Sequence, residues 1–212
     1  MMGFRDITTA TTERTFIISI MPAEVGVGNT TTLLYVEGSV ANTWVLATLS
    51  SLVFDYIAKQ KCGRLHMSAY IVKQFPILPF DTIPEGLRWE ITRRVAELTY
   101  FNHDLDGWAE ELYDELTDEQ QLELPQLGEK KPFIYDPERR AVLQAELDAI
   151  IGHLYGLNTE DMRYILDPED VCGPGCINET FRVLKSNEIR QYGEYRTKRL
   201  VMEAWERMGY DN

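Results

Sequence analysis

The strongest hydrophobic pattern in the chain begins at Trp44 and reads WVLATLSSLVFDYIAKQK. Its apolar residues recur at spacings of three and four, which places them along one stripe of a helix, and such a stripe is buried in a folded protein. Ser39 or Asn42 can cap the start of this helix, and Gly63 suits its end because glycine tolerates a left-handed conformation. The pattern predicts one long core helix, followed by a basic corner at residues 59–66.

Short runs rich in β-branched and aromatic residues flank this helix. Before it, Phe16 to Met21 and Thr32 to Val36 predict two strands, which are separated by proline, glycine and asparagine turn residues. After it, Met67 to Val72 is expected to be extended, and the prolines at 76 and 79 end this run because proline cannot donate a hydrogen bond to a sheet. This part of the chain is expected to form a small mixed β part packed on the long helix.

From residue 82 onward the pattern changes to helices. Apolar positions with helical spacing predict six stretches: 82–101, 104–121 as one helix or a pair, 136–156, 159–167, 178–188 and 191–208. The predicted fold class is therefore α+β, in which the small β part and its long helix precede a mainly α-helical region. Two regions are expected, an α/β region at 1–80 and an acidic helical region at 81–212.

Charge divides the chain at the same place. The net charge is −13, yet the first 80 residues carry six Lys or Arg and five Asp or Glu, so the remaining fifteen basic and twenty-nine acidic residues follow residue 80. An acidic surface repels the phosphate backbone of nucleic acid. A DNA-binding surface is therefore expected within residues 1–80.

Three cysteines in 212 residues favour the reducing cytoplasm over a disulfide framework. The opening residues lack the basic and apolar segments of a signal peptide. The most apolar segment, Val40 to Ala58, is interpreted as a core helix, because Asp55 at bilayer depth would be costly. A cytoplasmic protein with no membrane partner is expected.

Patterns that resemble metal or catalytic sites are weak in this sequence. Cys172 and Cys176 flank a Gly-Pro-Gly turn, and no second Cys or His pair completes a zinc spacing. Asp118 with Glu129-Lys130-Lys131 matches only loosely the carboxylate and lysine set of metal-dependent nucleases. The sequence therefore assigns no catalytic, cofactor-binding or metal-binding residue.

Three stretches of the chain resemble a known family. They are Leu49 to Pro79, with Phe54-Asp55-Tyr56, Lys61, Gly63, His66 and the run QFPILP; Glu13-Arg14-Thr15; and Gln191 to Arg199, which reads QYGEYRTKR. Together they resemble the C-terminal specificity region of adenine-N6 DNA methyltransferases of type IIG-like restriction-modification and phage-defence systems. The resemblance spans almost the whole chain, and it implies that residues 1–80 are part of a target-recognition domain.

The catalytic half of that family carries a glycine-rich S-adenosylmethionine loop and an Asn-Pro-Pro-aromatic tetrapeptide that receives the flipped adenine. Neither occurs in this sequence, and base flipping requires such a pocket. The chain is therefore expected not to methylate DNA by itself, to bind no cofactor and to be a C-terminal fragment, with S-adenosylmethionine bound by a parent enzyme. The expected partners are double-stranded DNA and the parent's catalytic methyltransferase domain.

Seven polar residues are the candidate DNA contacts: Arg14, Lys59, Lys61, Arg64, His66, Lys73 and Gln74. Lysines suit phosphate contacts, whereas Arg64 and Gln74 can hydrogen-bond to base edges. The alternative interpretation is a solvated helix end with a capping histidine, because cations at a helix C-terminus interact favourably with the helix dipole. Both interpretations remain open at the level of the sequence.

The acidic helical region admits a second hypothesis, from another functional class. It can be a protein-docking or regulatory module of a defence complex, which would bracket the catalytic domain or imitate the charge of DNA. The basis of this hypothesis is the excess of acidic residues after residue 80.

The closing QYGEYRTKR motif also has two interpretations. Arg196, Lys198 and Arg199 can contact phosphates, but Glu194 and Glu203 lie at spacings that suit ion pairs with them. A structural role is the favoured interpretation for this motif.

Overall fold

Three short strands and twelve α-helices form the described part of the chain, residues 1–62, 65–176 and 180–211, in this computed structural model. The strands are β1 (Met2–Arg5), β2 (Ile18–Ile20) and β3 (Thr31–Leu34). The helices are α1 (Ser39–Ser50), α2 (Leu52–Lys61), α3 (Ala69–Val72), α4 (Glu85–Thr99), α5 (Asp106–Glu115), α6 (Asp118–Glu123), α7 (Pro125–Gly128), α8 (Pro137–Leu154), α9 (Thr159–Leu166), α10 (Glu169–Cys172), α11 (Arg182–Tyr192) and α12 (Arg196–Arg207). The fold class is α+β, as predicted.

The sheet is antiparallel, with the strand order β2-β1-β3. Met2 of the central strand pairs with Ile20 on one side and with Leu34 on the other. Met2 and Phe4 are buried, whereas Arg5 is exposed. The two predicted strands are confirmed as β2 and β3, in shorter form. The sequence does not predict β1, because four residues are too few to establish a two-residue period.

The prediction of one long core helix is wrong at Ser51, where the chain bends by 59° between α1 and α2. Ser51 is extended, with φ −71° and ψ 157°, and its Oγ accepts a hydrogen bond from Phe54 N (3.1 Å). A serine side chain that caps a new helix competes with continuation of the preceding one. The hydrophobic stripe continues across this break, which is why periodicity alone does not reveal it.

The prediction of an extended run at 67–72 is also wrong. Ser68 is extended and begins the short helix α3, in which Ile71 and Val72 pack partly against the core while Tyr70 is exposed. Short apolar runs do not distinguish strand from helix by pattern, so tertiary packing decides the conformation.

The predicted helical region is confirmed in its main elements: α4, α8 and α9 lie within the predicted stretches, and α5 and α6 form the predicted pair. Helices α11 and α12 begin at Arg182 and Arg196, later than predicted, and residues 178 and 179 of the predicted helix 178–188 lie outside the described residues. Helices α8 and α12 pack closely, with Trp205 of α12 fully buried. Their approach depends on Gly152, where a Cβ atom would lie 2.6 Å from Met162 Sδ and 3.1 Å from the Trp205 ring. Glycine at this position therefore permits the contact among α8, α9 and α12.

Carboxylates of the helical region cap the two core helices. Glu115 accepts hydrogen bonds from Ser39 N (2.6 Å) and Val40 N (2.8 Å) at the start of α1. Asp148 Oδ1 accepts one from Leu52 N (2.6 Å) at the start of α2. Negative groups at these positions satisfy free backbone donors and interact favourably with the helix dipole. One hydrophobic core accordingly includes residues on both sides of residue 80.

Candidate nucleic-acid interface

Lys59 lies inside the protein, with only 7% of its surface exposed. Its ammonium donates to the carbonyl oxygens of Thr12 (2.5 Å) and Ala10 (3.3 Å), and it lies 4.0 Å from Asp55 Oδ2. Burial lowers the pKa of Lys59, an effect that Asp55 opposes. The ammonium therefore holds the loop before β2 and is not presented at the surface, as a phosphate contact would require.

Asp55 joins two of the stretches that carry the family resemblance. Its Oδ1 accepts hydrogen bonds from Thr15 N (2.9 Å) and Phe16 N (2.7 Å), so the Phe54-Asp55-Tyr56 run holds the Glu13-Arg14-Thr15 run directly. Burial raises the pKa of Asp55, and nearby positive charge and these backbone donors only partly offset that effect. The two runs form a buried polar cluster that organises the fold.

Arg14 is half-buried and belongs to the same cluster. Its Nη2 donates to Ser50 O (2.7 Å), while Nη1 is buried and has no hydrogen-bond partner among the described residues. Its charge attracts the carboxylates of Asp55 and Asp148. Arg14 is therefore placed at the α1–α2 break and separately from the basic corner.

Asp148 is 4% exposed and faces Arg14 at the polar end of a cleft of about 530 Å³. Burial raises the pKa of Asp148 to about 6, although the Arg14 charge and the Leu52 N–H favour its ionised form. Apolar side chains supply most of the cleft walls, among them Ile18, Leu46, Val95, Leu98 and Leu147. A carboxylate that caps a helix thus titrates in this cluster well above the usual range of aspartate.

The basic residues of the closing motif are all paired with carboxylates: Arg196 with Glu138 (2.7 Å), Lys198 with Asp167 (3.1 Å) and Asp170 (2.5 Å), and Arg199 with Glu194 (2.9 Å) and Glu203 (3.0 Å). Tyr195 of the same motif is buried. The expected ion pairs of Arg199 with Glu194 and Glu203 are confirmed, and the motif fastens α12 to its neighbours.

The segment after α2 runs beside the end of β1. An antiparallel bridge joins Ile7 to His66, and His66 Nδ1 lies 3.1 Å from Asp6 Oδ2. His66 thus contacts the Asp6 carboxylate just after β1, and does not act as the capping histidine of the alternative interpretation. Helix α2 ends at Lys61, whereas Gly63 and Arg64 lie outside the described residues.

Eight exposed side chains from this segment and from the end of β1 are here called the corner surface: Arg5, Ile7, Lys61, Leu65, His66, Tyr70, Lys73 and Gln74. Four of the seven candidate DNA contacts lie on it, and the interpretation of Arg64 stays a prediction. Within the described ranges, Arg5, Lys61 and Lys73 have no carboxylate partner. The corner surface therefore offers three cations that form no ion pair with the described residues.

Tyr70 and Leu65 are residues of this surface that the sequence did not single out. Tyr70 is 77% exposed and Leu65 is 60% exposed. Lys73 and Gln74 follow Tyr70 by three and four residues, which places them on the same side of α3 and its last turn. Gln74 Nε2 donates to Tyr70 O (3.1 Å). That Tyr70, Lys73 and Gln74 share one side is recognisable only once the segment is known to be helical.

Two further kinds of site were sought in the described ranges. No group of three or more His, Cys, Asp or Glu residues there is arranged to hold a metal ion. No single helix there has the length and apolar composition to cross a membrane; the bent pair α1 and α2 meets both criteria only when taken together.

Comparisons of the chain with protein-family models, curated proteins and solved structures find no match. The family resemblance rests on the three stretches quoted above. Two of them meet at the Asp55 carboxylate, and the third contributes buried Tyr195 and the ion pairs around α12.

Proposed function

We propose that this chain is the DNA target-recognition and positioning portion of a type IIG-like adenine-N6 DNA methyltransferase of a restriction-modification or phage-defence system. The observation that supports this most directly is the corner surface, where Arg5, Lys61 and Lys73 are exposed without a carboxylate partner in the described ranges. Phosphate contacts from such cations supply much of the affinity of proteins for DNA.

The lysines and the arginine of the corner surface are better placed to contact DNA than the basic residues of the closing motif, because they are not already paired with carboxylates in the described ranges. Arg196, Lys198 and Arg199 are held by carboxylates, so contacts to DNA phosphates would require those ion pairs to break. Lys61 and Lys73 need no such rearrangement. Positive charge in an otherwise acidic protein is therefore most available near β1 and α3.

The corner surface also suits a division of roles. Lys61 and Lys73 are assigned to phosphates, and Gln74 is assigned to a base edge, because an amide can donate and accept hydrogen bonds at adenine. Catalysis is assigned to a separate methyltransferase domain of a cytoplasmic parent enzyme, which would bind S-adenosylmethionine. The present chain would hold the duplex against that domain.

Replacing both Lys61 and Lys73 with Ala is expected to weaken binding to duplex DNA and to reduce its salt dependence. Each phosphate contact contributes about 0.9 to the slope of log affinity against log salt concentration, so the slope should fall by about 1.8. Fluorescence anisotropy of labelled duplex, titrated with the full chain at several salt concentrations, measures this slope.

The matched control is the double variant Lys131→Ala and Arg190→Ala, which removes two exposed cations outside the corner surface. It has the same net charge as the test variant and should retain the wild-type slope. An equal loss of slope in both double variants, or no binding by the wild-type chain at low salt, contradicts the assignment of the DNA contact to this surface.

Tyr70→Ala is expected to weaken DNA binding through loss of a hydrogen bond from the Tyr70 hydroxyl to a backbone phosphate. A hydrogen bond to a charged group is worth about 1.5–3 kcal/mol, which corresponds to a roughly 10- to 150-fold change in affinity. Tyr35→Ala is the matched control, because Tyr35 is 73% exposed and lies just after β3, outside the corner surface. Equal affinities of the two variants would show that Tyr70 does not contact the DNA.

A further inference from the structure

Two of the three cysteines in the chain flank the Gly-Pro-Gly turn that follows α10. Cys172 is exposed and Cys176 is half-buried, and the neighbouring Cys176 side chain raises the pKa of the Cys172 thiol. Cys62, in contrast, is buried in the hydrophobic core. The chain therefore has one accessible thiol pair and one sequestered thiol.

The turn between the paired cysteines is fixed by its glycines. Gly173 and Gly175 have φ values of +82° and +86°, which residues with a Cβ rarely adopt, and Pro174 restricts the backbone between them. Gly175 N also approaches Glu169 Oε1 (3.4 Å). The Gly-Pro-Gly sequence thus forms a tight turn, with Cys172 before it and Cys176 after it.

We propose that Cys172 and Cys176 are a redox-active dithiol that forms an intramolecular disulfide by exchange with a low-molecular-weight disulfide of the glutathione type. One cysteine thiolate attacks a sulfur of the small disulfide, whose sulfur–sulfur bond breaks and releases one small thiolate. The second cysteine thiolate then attacks the mixed disulfide and releases the other. Two cysteines are oxidised, one small disulfide is reduced to two thiols, and these take up the two protons.

The electrostatic surroundings set the pH dependence of this exchange. The hydrogen bond to Cys176 raises the pKa of the Cys172 thiol, and burial and the negative charge of Glu160 act in the same direction. Because the thiolate is the reacting form, the exchange should accelerate as the pH rises above neutrality.

The position of the pair connects its oxidation to the packing of the C-terminal helices. Asp167 and Glu169, just before Cys172, accept hydrogen bonds from Lys185 of α11 at 2.8 and 2.9 Å. A disulfide between residues 172 and 176 would close a loop within the segment that joins these carboxylates to α11. The segment could then adopt fewer conformations. The oxidised chain should therefore resist proteolysis in this segment better than the reduced chain.

The test is equilibration of the reduced full chain with glutathione disulfide, followed by acid quenching and mass measurement. The wild-type chain should lose two hydrogen atoms and retain no glutathione. Trypsin cleavage after Arg163 and Arg182 yields one peptide, residues 164–182, that contains both cysteines, so the disulfide can be located directly.

Single-cysteine variants separate the proposal from its alternatives. Cys172→Ser and Cys176→Ser should each retain one bound glutathione, because the second thiol that resolves the mixed disulfide is missing, whereas Cys62→Ser should behave like the wild type. Stable glutathione adducts on the wild-type pair overturn the proposal. So does a wild-type pair that stays reduced at a large excess of glutathione disulfide, or loss of two hydrogens in either single variant of the pair.

Discussion

Asp55→Ala is expected to lower the free energy of unfolding by about 3–5 kcal/mol, the loss that follows removal of one partner from a buried ion pair. The substitution leaves the backbone N–H groups of Thr15 and Phe16 without their acceptor and removes the carboxylate beside Lys59. Each buried donor without a partner costs about 1–3 kcal/mol. Urea unfolding of the full chain, followed by circular dichroism, measures the difference.

Asp55→Asn separates the hydrogen bonds from the charge. The amide oxygen can still accept from Phe16 N, but the buried Lys59 ammonium loses its carboxylate partner, so this variant should lie between the wild type and Asp55→Ala in stability. Asp114→Ala is the surface control, because Asp114 is exposed on α5 and should change the stability by less than about 0.5 kcal/mol. A stability of Asp55→Ala equal to that of the control would show that the buried cluster does not stabilise the fold.

This expectation follows from what the resembling stretches do in the structure. Thr15 and Asp55 bond to each other, and Arg14 faces Asp148 from the α1–α2 break. Side chains of this kind organise a scaffold, while Lys61, Lys73 and Tyr70 on the surface are available to a ligand. These stretches therefore stabilise the fold, and the proposed DNA contacts lie outside the buried cluster that they form.

The helices of the C-terminal region are predictable because their apolar stripes are long. The apolar positions of α8 run from Val142 to Leu154, about three and a half turns, and Asp136 caps the start of the helix. The break at Ser51 is different, since it depends on the long-range bond from Leu52 N to Asp148, 96 positions later. No local pattern contains that bond.

Among the candidate DNA contacts, the sequence could not separate Lys59 from Lys61. Both lie in one basic run at the end of α2, yet one is buried and the other is exposed. One feature of the sequence distinguishes the two lysines. Lys59 follows Asp55 by four residues, so both side chains lie on the same face of the helix, and this face is buried. Lys61 is turned away from that face by two positions, and it remains on the corner surface.

Asp148→Asn is expected to leave the stability of the protein nearly unchanged at pH 4 and to make the protein progressively more stable as the pH rises from 4 to 6, with a nearly constant advantage above that. Burial raises the pKa of Asp148 from 3.8 to about 6 in the folded state. An acid with a raised pKa contributes stability that is fully present below its unfolded pKa and is lost as the pH rises through its folded pKa. A difference of about two pKa units corresponds to a loss on the order of 3 kcal/mol by pH 8.

The asparagine variant keeps the acceptor for Leu52 N, so the difference between the two proteins reports the buried charge and not the hydrogen bond. Urea unfolding at pH 4, 6 and 8 should show that the difference in free energy of unfolding between Asp148→Asn and the wild type increases with pH. The control Asp114→Asn should differ from the wild type by the same amount at all three pH values. Two charged groups near Asp148 affect this difference in stability in opposite directions. The charge of Arg14 lowers the pKa of Asp148 and makes the difference smaller, whereas the charge of Asp55 raises the pKa and makes the difference larger. A difference that is constant with pH would mean that Asp148 ionises as easily in the folded chain as in the unfolded one. In that case the capping carboxylate at the α1–α2 break would be adequately solvated or paired, and the bend would carry no electrostatic cost at neutral pH.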